Sequence, residues 1–138
     1  MHVLTLGLLP DTYAVCRLNP SAVIPAWALS GDIFSIMRTP EEMSIVCTES
    51  SLPEQPLTVE RNWRIFKLSG PFPFEMTGVL ASVLVPLAEA GVSIFSLSTY
   101  DTDYVLVKEG QREAAINALC EAGHRVEEAE PQRAISQS

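Results

Sequence analysis

The feature that most restricts the fold is an imperfect internal repeat. Tyr13, Arg17 and Leu18 in YAVCRL stand fifty positions ahead of Trp63, Lys67 and Leu68 in WRIFKL, with chemical character kept at each. Further along, the spacing becomes sixty-one and stays there. Pro25 answers Pro86, and Ile33, Phe34, Ser35 and Ile36 answer Ile94, Phe95, Ser96 and Leu97. Glu42 then falls on Asp103, and Ile45-Val46 on Leu106-Val107. Kept order with one change of spacing is the trace of a duplicated unit whose second copy has the longer loop and helix.

The second copy shows what the unit is. Trp63 to Leu68 alternates apolar and polar residues as a half-buried strand does. Ser69 to Pro73 breaks it with Gly and two prolines. From Glu75 to Ala90 the apolar positions Val79, Leu80, Val83, Leu84, Leu87 and Ala88 recur at helical spacing, with Gly91 as the cap. Pro86 inside that run predicts a kink or local break. Ser93 to Ser98 and Tyr104 to Val107 read as strands joined by the polar turn Thr99 to Asp103. Gln111 to Ala122 is a second amphipathic helix, with Ala115, Leu119 and Ala122 on one side and Gly123 closing it, and His124 to Glu128 is a short last strand. The order β-α-β-β-α-β is the split βαβ pattern of ferredoxin-like α+β folds.

The first copy is degenerate, because Thr48 to Arg61 carries prolines and acids where a second helix belongs. The expected division is therefore 1–60 for a degenerate N-terminal module, 61–130 for a complete C-terminal one, and 131–138 for a flexible tail. Met1 to Pro10 reads as an additional strand pairing with Tyr13–Leu18 through the Pro10-Asp11 turn.

Composition narrows the function. A formal net charge of −8 argues against nucleic-acid or anionic-membrane partners. The N-terminus lacks a basic signal-peptide region, and no apolar stretch approaches the roughly 20 residues of a membrane span, so a cytoplasmic protein is expected. Cys16, Cys47 and Cys120 lie far apart within apolar-periodic segments and read as buried free thiols. His2 and His124, near the chain ends and without triad or metal spacing, read as surface residues. No Walker loop, GxSxG elbow or HExxH is present.

The segment Thr77 to Val107 (TGVLASVLVPLAEAGVSIFSLSTYDTDYVLV), with Arg38 to Cys47 (RTPEEMSIVC) upstream, closely resembles the small bacterial ACT-domain proteins related to the CASTOR family of cytosolic arginine sensors. The resemblance covers nearly the whole chain apart from the tail, and its most specific part is the run STYDTDYVLV. It implies two tandem ACT-type βαββαβ modules, the first degenerate, of a kind that pairs side by side and binds amino acids where modules meet. It also implies a site on the loop and helix start at Gly70, Thr77, Gly78, Val79, Leu80 and Ser82, facing the turn with Ser98, Thr99, Tyr100 and Asp103. A small amino acid or related amine is the implied ligand, with no cofactor and with a homo-oligomer as the assembly.

The residues themselves allow that chemistry. Asp103 at the end of a turn can take a bidentate, charge-assisted bond from an amine or guanidinium, or simply cap local amides. Gly78 at the helix start lets a carboxylate approach the first free N–H groups, or merely permits close packing. Tyr100 can cover a ligand or stand in solvent. Glu41-Glu42 in the first copy is either a second cation point or a solvated acidic turn. Trp27 and Trp63 read as packing residues. The reading is a ligand-binding regulatory module and not an enzyme. A ligand-free structural or interaction module is the alternative, and a small enzyme such as an acyltransferase stands third.

Overall fold

The computed structural model describes residues 3–69 and 77–128. His2, Gly70, the Glu75 start of the expected helix and the tail therefore lie outside the described residues. The strands are β1 (Thr5–Leu8), β2 (Tyr13–Leu18), β3 (Ser35–Arg38), β4 (Met43–Thr48), β5 (Thr58–Leu68), β6 (Ile94–Ser98), β7 (Asp103–Lys108) and β8 (Arg125–Glu128). The helices are α1 (Val79–Glu89) and α2 (Arg112–Glu121). The chain forms two compact units, Asp11–Trp63 and Met1–Pro10 together with Arg64–Ser138.

In the unit Asp11–Trp63, antiparallel pairing runs β3-β4-β2 and on to the first part of β5. That is the strand order of a βαββαβ unit, with both helices reduced to single 3-10 turns at Ala26–Leu29 and Glu49–Ser51. Alternation makes the core: Ala14 and Cys16 on β2 and Met43, Ile45 and Cys47 on β4 point to one side, where Ala28 of the first turn meets them. Trp27 packs against this cluster and Trp63 is buried. Opposite the register shift between Tyr13 and Val15, Asn62 takes a left-handed φ of 68°. This bulge lets β5 run on past it.

In the other unit, β7 pairs with β5 and with β6, while β1 lies between β5 and β8. β1 runs antiparallel to β5 (Leu6 opposite Leu68) and parallel to β8 (Leu6 opposite Val126). This corrects the expected pairing of Met1–Pro10 with Tyr13–Leu18: the first strand fills a central place in the C-terminal unit. A parallel partner far along the chain leaves no turn signal in the sequence.

The helices cover this sheet through spacing. Val79, Val83 and Leu87 of α1 and Ala115 and Leu119 of α2 meet Leu6, Leu8, Phe66, Leu68, Val105 and Val107 in one core. Both helices end in the same motif. Val92 N–H donates to Leu87 O at 2.9 Å with Gly91 at φ 76°, and His124 N–H donates to Leu119 O at 3.0 Å with Gly123 at φ 97°.

Two sequence expectations are corrected here. Cys120 is exposed, whereas Cys16 and Cys47 are buried as expected. His124 is 5% exposed and not a surface residue. Its ring reaches Ser82 O at 2.8 Å through Nε2 and accepts Leu4 N–H at 3.1 Å through Nδ1. Pro86 explains it. A proline has no N–H for the carbonyl four residues earlier, which is Ser82 O, and His124 supplies that donor. Pro86 thus sits inside α1 without ending it.

Candidate ligand site

The β6–β7 turn is built by its threonines. Thr99 N–H and Oγ1 both donate to Thr102 O, at 2.8 and 3.1 Å, and Thr102 N–H donates to Thr99 Oγ1 at 3.2 Å. The Thr102 hydroxyl donates to Leu68 O, which ties the turn to the end of β5. β5 is the strand that leads into α1, so chain connectivity brings the turn and the start of α1 to one end of the unit. Ser98 and Asp103 face each other as the last pair of the hairpin, and Ser98 Oγ donates to Asp103 Oδ1. Among the described residues the second carboxylate oxygen of Asp103 takes no hydrogen bond. Tyr100 at the tip is 78% exposed.

The β3–β4 turn repeats this design: Thr39 N–H donates to Glu42 O at 2.8 Å, and Glu42 N–H donates to Thr39 Oγ1 at 3.1 Å. The turns therefore correspond at a spacing of sixty, with Arg38 and Met43 as the closing pair. This corrects the alignment of Glu42 with Asp103. The residue equivalent to Asp103 is Met43, fully buried. Glu42 already has a cation, Arg17, at 3.9 Å.

The start of α1 divides the expected site residues. Val79 turns into the core, so its side chain is not available to a ligand, and Leu80 packs against that core while partly exposed. Gly78 holds φ 81° as the N-cap, and Ser82 N–H to Gly78 O at 3.0 Å is the first helical bond. The N–H groups of Val79, Leu80 and Ala81 precede it. Thr77 is exposed. Gly78 and Ser82 also line a groove of about 850 Å³ between α1 and α2. The sequence reading missed this groove and the His124 bridge at its edge, although a proline four residues after Ser82 signals the need for an outside donor.

Among the described residues no group of three or more His, Cys, Asp or Glu is placed to hold a metal ion, and no helix is long and apolar enough to cross a membrane.

Comparison with known proteins extends this picture. The ACT domain family model matches residues 58–121, and a model of an N-terminal domain matches 11–55. The human protein CASTOR3P is 35% identical over 109 residues, covering 67% of this chain and 67% of that protein. The bovine cytosolic arginine sensor for mTORC1 subunit 1 is 33% identical over 62% of this chain, and the matched stretch spans 29% of the sensor's length. A crystal structure of an Agobacterium tumefaciens protein superposes with a TM-score of 0.90 at 38% identity, covering 96% of this chain and 98% of that one. The regulatory subunit of aspartate kinase from Thermus thermophilus shares the fold, with a TM-score of 0.63 at 16% identity over 88% of this chain and 99% of that one. With the β-α-β-β-α-β order of elements from β5 to β8 and these relatives, the chain belongs to the ACT-domain family of CASTOR-like proteins.

Proposed function

We propose that this chain is a regulatory sensor module, not an enzyme, that binds a small amino acid or related amine at the β6–β7 turn. The observation that carries the reading is Asp103: Ser98 orients one carboxylate oxygen, and among the described residues the other takes no hydrogen bond, at the position where the equivalent turn has buried Met43. Asp103 takes the ligand's ammonium or guanidinium, with Ser98 and Thr99 beside it and Tyr100 over it. The ligand's carboxylate goes to the start of α1, where Gly78 and the N–H groups of Val79 and Leu80 offer the positive end of the helix, with Thr77 and Ser82 at its margin. The name of the related arginine sensors supports an amino-acid ligand and a cytosolic setting. In this reading the protein works in the cytoplasm as a homo-oligomer and without a cofactor.

Thermal-shift and calorimetric titration with each amino acid and simple amine tests it. At a hundredfold excess over Kd, a true ligand adds about 2.7 kcal/mol of stability. Asp103→Asn is expected to remove that gain. No shift with any compound, or an equal shift in the variant, refutes the site.

A second reading, a ligand-free interaction module, is favoured by one observation: both helices of the unit Asp11–Trp63 have shrunk to single 3-10 turns. It predicts partner capture that is the same with and without amino acids.

A further inference from the structure

We propose that the groove between α1 and α2 docks a cationic amphipathic helix of a partner protein. Its rim is acidic in an unusual way. Glu89 and Glu121 are the last residues of their helices, and neither helix has a basic residue in its last turn. A carboxylate there opposes the helix dipole. Among the described residues neither carboxylate has an ion pair or side-chain hydrogen bond, and no Lys or Arg lines the groove. An outside cation answers both.

The two carboxylates stand at opposite ends. His124, three residues beyond Glu121, bonds to Ser82 in the first half of α1, so Glu121 lies beside the start of α1 while Glu89 closes its far end. From Ser82 to Glu89 the axis advances about 10 Å, which is two helical turns. Lys or Arg side chains at i and i+7 of a docked helix match that span. Between the ends, Ala81, Ala118 and Ala122 are small enough for a helix to approach closely, and Val85 is 52% exposed.

Apart from the two rim carboxylates, the side-chain polar groups of the groove are engaged within the protein. Ser82 Oγ donates to Val79 O at 2.7 Å, and His124 Nε2 bonds to Ser82 O. Between its two ends the groove offers a small polar ligand no free side-chain partner, whereas an apolar stripe needs none. A second copy of this chain is disfavoured, because its own Glu89 and Glu121 and its net charge of −8 meet like charges.

The test uses a labelled helical peptide of about 18 residues, with Lys at i and i+7 flanking a Leu stripe, titrated against the full chain by fluorescence anisotropy. The expected result is binding that falls at least roughly tenfold in Glu89→Lys/Glu121→Lys at low salt, with the difference shrinking as salt rises. Ala118→Trp, which fills the floor, is expected to remove binding, and Asp103→Ala to leave it unchanged, so failure here is separable from failure of the ligand site. Glu89→Gln/Glu121→Gln, the gentler pair, is expected to give a smaller loss in the same direction. The proposal is overturned by no binding to the wild type, by equal binding of a peptide with Glu in place of both Lys, or by equal affinity in the charge-reversed protein. Sedimentation showing a dimer that Ala118→Trp splits overturns it too, since a second copy then covers the groove.

Discussion

His124 bridges the backbone ahead of β1 and helix α1 with one ring: Nε2 serves the carbonyl freed by Pro86, and Nδ1 accepts Leu4 N–H. His124→Ala takes this partner from two partly buried groups and is expected to cost about 1–3 kcal/mol in urea unfolding. In a Pro86→Ala background the helix recovers its own donor for Ser82 O, so the same substitution costs measurably less. That non-additivity in a double-mutant cycle is the signature of the bridge. Tyr13 makes a different prediction. Burial, with Asp11 and Asp32 nearby, pushes its phenol from 10.0 up to about 12. Because the folded state holds this proton more tightly, its contribution to stability is full below pH 10 and is lost as pH rises toward 12. Tyr13→Phe is expected to flatten that part of a stability-against-pH curve.

At the scale of elements, turns and bulges carry information that side-chain periodicity does not. Asn62 in the left-handed region holds the bulge of β5, with its N–H bonded to Glu49 Oε1 at 3.0 Å. Asn62→Gly is expected to change stability by only a few tenths of a kcal/mol, and Asn62→Val to cost about 1–2 kcal/mol in the same measurement. The strands and helices were legible because burial imposes period: Ala14/Cys16 and Met43/Ile45/Cys47 alternate, while Val79/Val83/Leu87 recur every fourth residue. The duplication was legible too, but its register at the hairpins was not. Matching apolar residues placed Glu42 on Asp103, whereas the threonine turns, which set the backbone, place Met43 there. The pairing of β1 was illegible for a simpler reason, since strand neighbours distant in sequence leave no local trace.

For the molecule as a whole, the unit Asp11–Trp63 is an excursion between two pieces of the other unit. Leu6, fully buried on β1, therefore holds together residues from both ends of the described chain. Leu6→Ala is expected to cost about 2–5 kcal/mol. Hydrogen exchange is expected to speed up in β5 and β8, the strands β1 pairs with, more than in β2 and β4 of the other unit. The same arrangement sets a timetable for synthesis. As the chain leaves the ribosome, Thr5–Leu8 emerges long before its parallel neighbour Arg125–Glu128. The strand waits, with its edge open to any other nascent chain, while the intervening unit already has every strand it needs.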